Sequence, residues 1–126
     1  MNKLYHLQKD KVISITYQLD NECIYLTYDE GGSEKTYIKE IAHLLNRYEI
    51  NATFFLTKNY ILKEADFIVD LVSKGHVIGN HTHNHLNMAN LANERDVTNF
   101  CMEVTSVEKA YMQVTGKKMY KVFRFP

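Results

Sequence analysis

The chain is predicted to be an α/β protein, a sheet of parallel strands covered by helices. Three observations lead there. Short apolar, β-branched segments alternate with amphipathic helical ones along the whole chain. The length, 126 residues, suits a single domain. Polar clusters stand just beyond the apolar segments: Asp29-Glu30, His81 to His85, and Arg124. In an open doubly wound sheet or in part of a (β/α) barrel, chemistry collects at the carboxyl ends of the strands, and these clusters lie at such ends.

The elements follow in order. Lys11–Leu19 alternates and is β-branched, Asp20-Asn21 offers a turn, and Cys23–Tyr28 is a nearly continuous apolar strand, so a hairpin is expected. Ser33 is placed to cap a helix carrying Ile38, Ile41, Ala42, Leu45 and Tyr48 at helical spacing. Ala52–Leu56 reads as a strand, Lys63–Lys74 as a helix with Gly75 at its C′ position, and His76–Gly79 as a strand. Asn93–Thr115 reads as a long helix with Val97, Phe100, Cys101, Val104, Val107, Tyr111 and Val114 on its inner stripe, and Gly116 stops it. Lys121–Phe125 is expected to be a fourth strand.

Composition excludes several classes. Fifteen basic and fifteen acidic residues cancel, against the basic excess of nucleic-acid binders. No apolar run approaches the ~20 residues of a membrane span, and Met1–Lys11 has no apolar core of a signal peptide. Cys23 and Cys101 do not make a disulfide framework and are expected to be free, half-buried thiols.

Four of the six histidines fall between positions 76 and 85. His81 and His85, four apart, can present two imidazoles to one metal if the segment turns helically. Thr82 stands where a zincin needs its glutamate, so that protease motif is excluded. Two imidazoles and one carboxylate with open positions for water have the composition of a hydrolytic metal site. Asp29 and Glu30 leave their strand in different directions, which permits one to face a metal and the other a substrate. Arg124 is able to pair with one of them.

These residues resemble a known family. Thr27-Tyr28-Asp29-Glu30-Gly31 is similar to the first motif (TFDDG) of polysaccharide deacetylases with the NodB-homology domain, carbohydrate esterase family 4. Gly75-His76-Val77-Ile78-Gly79-Asn80 matches the approach to their second motif, His81-Thr82-His83-Asn84-His85 matches that motif, H-[ST]-x-x-H, and Arg124-Phe125-Pro126 resembles the start of the third, R-x-P. Ile24–Thr27 and Thr53–Thr57 are similar to the family's first two strands. Within the family the chain looks closest to peptidoglycan N-acetylmuramic acid deacetylases of δ-lactam formation.

The resemblance implies the N-terminal half of a deformed (β/α) barrel, with four parallel strands and their helices. Residues 1–22 would be a hairpin extension and residues 23–126 a deacetylase domain stopping at the third motif. It implies metal-assisted hydrolysis of sugar acetamides, with zinc the expected metal, on an N-acetylated polysaccharide or peptidoglycan at the cell envelope. Asp29 stands at the family's catalytic base, and Arg124 at the arginine that pairs with it. Glu30, His81 and His85 stand at the metal ligands. Thr82 stands at the residue bracing the motif loop, with Gly31 and Pro126 as supporting motif residues. Glu30 departs from the family's Asp by one methylene, about 1.5 Å of reach. No residue is matched to the histidine acid of a later motif, so this chain alone is expected to be inactive or very weak. An open edge at Lys121–Phe125, with Tyr25, Phe54 and Val122 beside an unfilled core, is expected to pair two copies into a homodimer or to be patched by the hairpin. Two other classes remain: a non-catalytic metal- or glycan-binding module, and a receiver-like signalling domain, which would not need His81 and His85 beside its acidic pair.

Overall fold

The computed structural model describes residues 2–7, 13–18, 24–30 and 37–126. The fold is α/β, with parallel strands and covering helices. Strands β3 (Thr27–Glu30), β4 (Thr53–Leu56) and β5 (Val77–Asn80) form a parallel sheet in that spatial order. Helix α1 (Ile38–Arg47) connects β3 to β4. Helices α2 (Lys58–Lys63) and α3 (Ala65–Ser73) connect β4 to β5. Beyond β5 come α4 (Met88–Asn93) and α5 (Val97–Thr115).

The register explains where chemistry can collect. Glu30 is paired with Leu56, and Leu56 with Asn80, so the carboxyl ends of all three strands are level. The core lies under this sheet: Phe54, Leu56, Ile61, Ile68, Leu71, Ile78 and Val107 are fully buried. Each such side chain contributes roughly 1.5–3 kcal/mol by leaving water. Helix α5 packs across α2 and α3.

Several expectations are corrected. The hairpin is formed by β1 (Asn2–Leu7) and β2 (Ile13–Gln18), antiparallel with Asn2 opposite Gln18. Its partner is therefore the segment before Lys11, and Thr27–Glu30 instead joins the parallel sheet, with Glu30 buried, Tyr28 half-buried and Thr27 and Asp29 exposed. The expected turn Asp20-Asn21, the cap Ser33, Cys23 and Gly31 lie outside the described residues. The helix expected over Lys63–Lys74 is α3 (Ala65–Ser73), and an unexpected short helix, α2, precedes it. Thr57 caps α2, its Oγ1 accepting from the Tyr60 N–H at 3.3 Å, and the chain turns at Glu64. The long helix begins at Val97, because the Asp96 side chain accepts from the Asn99 N–H. Before it stands α4, capped by Asn87.

The expected stripe of α5 holds at Phe100, Val104, Val107, Tyr111 and Val114 but not at Val97 and Cys101. Val97 and Cys101 are exposed, whereas Glu103, Val107, Ala110 and Tyr111 are buried. Lys121–Phe125 is not a full strand. It meets β5 only at a parallel bridge between Asn80 and Phe123: the Asn80 N–H donates to the Val122 carbonyl at 2.9 Å, and the Arg124 N–H donates to the Asn80 carbonyl at 3.0 Å. Only the last residue of β5 faces this segment, so the described parallel sheet has three strands rather than four. Phe54 is fully buried, not beside a void, while Tyr25, Val122, Phe123 and Phe125 are exposed. Among the described residues, no helix is long and apolar enough to cross a membrane.

Candidate active site

The rim is assembled from three strand ends and the 120s segment. Asp29 is the penultimate residue of β3, and Arg124 reaches it from the segment bridged to Asn80. The Arg124 Nη1 donates to Asp29 Oδ1 at 2.8 Å and to Thr27 Oγ1 at 3.1 Å. Both side chains are partly exposed, so the ion pair contributes little stability, about 0–1 kcal/mol; its effect is to orient. The guanidinium lies over the Phe55 ring, 4.2 Å from its centroid. Phe55 in turn needs Gly79, its partner on β5: a Cβ at position 79 would stand 2.6 Å from two atoms of the ring. A glycine on one strand thus makes room for the ring on which the arginine is stacked.

The histidine segment leaves β5 and is not helical. His81 and His85 nevertheless meet, their rings edge to face with centroids 4.9 Å apart. The turn that brings them together holds Thr82 and His85 at positive φ, 71° and 58°. For residues with a Cβ this costs about 1–3 kcal/mol each, and it persists only where the surroundings over-determine it. They do so here. Thr82 is fully buried. Its N–H donates to Asn80 Oδ1 at 3.0 Å, its carbonyl accepts from the Lys58 N–H at 3.1 Å, and its Oγ1 accepts from the His85 N–H at 3.2 Å.

The His81 ring has a defined tautomer. Its Nδ1 lies 3.0 Å from the Arg124 carbonyl. A carbonyl only accepts, so Nδ1 carries the hydrogen and donates it, leaving the lone pair on Nε2. This is the arrangement in which an imidazole serves as a metal ligand with its other nitrogen anchored. His85 is exposed beside it.

The donor set has a limit. Glu30 is buried at the end of β3, yet among the described residues no three His, Cys, Asp or Glu side chains are grouped so as to hold a metal ion. The two imidazole rings lie together, and Glu30 does not form such a group with them. Pro126 is exposed.

Sequence reasoning missed Glu103. This buried residue of α5 accepts, through Oε2, from the N–H groups of His83 (3.1 Å) and Asn84 (2.8 Å), and through Oε1 from Asn84 Nδ2 at 2.6 Å. The signal was present: a lone acid at helical spacing with Val107, Ala110 and Tyr111 on a buried stripe. Asn80 was matched within the motif approach but given no role; its Nδ2 donates to the Val104 carbonyl at 2.9 Å.

A parallel α/β sheet thus carries acids, imidazoles and an arginine at one rim, and comparison with known proteins gives the family. A profile described as Polysaccharide deacetylase matches residues 16–126, and the chain belongs to that family. It is 32% identical over 83 residues to the Peptidoglycan-N-acetylglucosamine deacetylase of Bacillus cereus, covering 64% of this chain and 38% of that protein. It is 28% identical over 95 residues to the Peptidoglycan-N-acetylmuramic acid deacetylase PdaA of Bacillus subtilis, covering 75% of this chain and 34% of that protein. Among solved structures, a family 4 carbohydrate esterase from Bacillus anthracis superposes with a TM-score of 0.68 at 35% identity, covering 81% of this chain and 47% of that one. The chain spans about a third of the length of these curated relatives and just under half of the solved one.

Proposed function

We propose that this chain is the N-terminal part of a polysaccharide de-N-acetylase that hydrolyses the acetamide of N-acetylated peptidoglycan sugars at the cell envelope. The observation that carries the proposal is the Arg124–Asp29 pair at one strand end beside the His81–His85 pair at another. In this reading residues 23–126 belong to a deformed (β/α) barrel, and residues 1–22 are an extension to it.

Asp29 is the general base, taking a proton from the attacking water, and Arg124 keeps its carboxylate aimed. His81, through Nε2, and His85 would hold a divalent cation, with Zn²⁺ among those that imidazole donors suit; Glu30, in place of an Asp, is a weak or absent third ligand. When bound, such a cation polarises the acetamide carbonyl and a water. Thr82 keeps His85 against His81. Gly31 and Pro126 support the ends of their motifs. No residue is assigned as general acid, so the chain by itself should release acetate very weakly or not at all. The exposed Val122, Phe123 and Phe125 edge supports association of two copies; sedimentation at micromolar concentration reads it, and a monomer would favour cover by the β1–β2 hairpin.

The test joins this chain to the C-terminal part of the Bacillus anthracis esterase and measures acetate release from peptidoglycan and chitooligosaccharide. Release that depends on Asp29 is expected. A folded chimera that releases no acetate from either glycan would overturn the proposal.

A further inference from the structure

Glu103 lies outside every motif, yet it is tied to the turn between the two imidazoles. Among the described residues, all three of its side-chain hydrogen bonds go to His83 and Asn84, the pair of residues midway along the turn that runs from Thr82 to His85. Both of its oxygens are used, and the residue is 5% exposed. A carboxylate only accepts, and the two successive backbone N–H groups converge on one of its oxygens. Asn80 anchors the start of the same turn to the neighbouring residue of α5, through the Val104 carbonyl. Helix α5 therefore grips the turn at two points, and α5 is itself set by Val107, Ala110 and Tyr111 in the core. Thr82 Oγ1 fixes the far end of the turn from within.

We propose that Glu103 is a positioning residue that holds the His81–His85 pair in register for a divalent cation. It acts through the main chain: by accepting from the His83 and Asn84 N–H groups it sustains the positive φ of Thr82 and His85, and so keeps the exposed His85 ring against the anchored His81 ring. The proposal rests on the reading of His81 and His85 as the cation-holding pair. It adds that the pair's geometry is set from α5, not only by the motif threonine.

The experiment uses the 126-residue chain, labelled for NMR, with Co²⁺ as the probe. Amide exchange at His83 and Asn84, the ring-to-ring NOE between His81 and His85, and Co²⁺ affinity are measured in wild type, Glu103→Gln and Glu103→Ala. Glu108→Gln serves as a control, because Glu108 is on the same helix but pairs with Lys121. Glutamine keeps one acceptor oxygen, so the effects should be graded Glu, Gln, Ala. Exchange at the two amides should rise at least about tenfold in Glu103→Ala. The NOE should weaken and Co²⁺ affinity should fall about 10–100-fold, while protection at Leu56 and Val107 stays as in wild type. An unchanged NOE and affinity in a folded Glu103→Ala chain would overturn the positioning role, even if exchange rises. If both Glu103 variants fail to fold, Asn84→Ala carries the test. Asn84 is exposed and this change removes one of the three bonds, so a smaller loosening at the same amides is expected and no change would overturn the proposal. A wild-type chain that takes up no Co²⁺ overturns the cation reading of the pair instead. The NOE then decides alone whether Glu103 sets the ring geometry.

Discussion

His76 and His81, five residues apart on either side of β5, carry their ring hydrogens on opposite nitrogens. His81 donates from Nδ1 to the Arg124 carbonyl. His76 accepts at Nδ1 from the Ala52 N–H at 3.1 Å, so its hydrogen is on Nε2 and donates to Asn46 Oδ1 at 3.1 Å. The first arrangement leaves a lone pair for chemistry. The second consumes both nitrogens in joining β5 to the end of α1 and the start of β4.

The buried His76 makes stability fall in acid. Burial lowers its pKa below the usual 6.5, the nearby Lys74 charge lowers it further, and Asp70 opposes. From just above pH 6.5 downward the unfolded chain binds a proton that the folded chain refuses, so unfolding becomes easier until the lowered folded value is reached. Denaturant unfolding at about pH 7.5, 6.5 and 5.5 should show a declining midpoint. His76→Gln should be less stable at the highest of these by about 1–3 kcal/mol and should lose stability less steeply over the same range. Equal slopes would assign the decline to other groups.

Asp29→Asn, in the chimera described above, should lower acetate release by about 10²–10⁴-fold. Arg124→Lys should lower it less, because an ammonium retains the charge but not the planar stacking on Phe55. An Asp29→Asn chimera that keeps a near-parental rate would remove Asp29 from the role of base.

Gly79→Ala should destabilise the fold by about 1–3 kcal/mol, the usual cost of overpacking, since the new methyl meets the Phe55 ring. The displaced ring should also shift the Arg124 side chain, visible as a change in its guanidinium resonance. An unchanged melting curve and resonance would show that the ring has room to move.

Zinc titrated into the chain should bind through the two imidazoles. His81→Ala should weaken it by at least about tenfold. Glu30→Ala should leave affinity within about threefold, because Glu30 does not join the donor group. Calorimetry distinguishes the two, and a large loss in Glu30→Ala would make the glutamate a full ligand.

The parallel α/β character was legible because apolar periodicity reports burial, and β4, β5 and α1 lie close to where that pattern put them. The hairpin was not, because β1 (Asn2–Leu7) mixes polar and apolar residues and pairing partners are not written in periodicity. Helix α2 was hidden because Thr57, its cap, sits at the end of an apolar run and reads as the end of a strand. At the site, motif spacing pointed to Asp29, His81, His85 and Arg124. It could not supply Glu103, nor the roles of Gly79 and Phe55, which depend on what lies across a helix or a strand. Nor could it show that Glu30 stands apart from the imidazoles, since that separation is a matter of where a side chain ends.

The Arg124–Asp29 bond joins residues 95 positions apart, and the ring of His81 is tied to the backbone of the same arginine. Contacts of such long sequence separation carry a large loop-closure entropy and form late. The sheet and its helices are held by nearer neighbours and can collapse first. The two contacts of Arg124 would then be among the last at the rim to form. A chain caught before residue 124 has docked would be folded in its core, with the Asp29 carboxylate not yet paired to its arginine and the His81 tautomer unspecified.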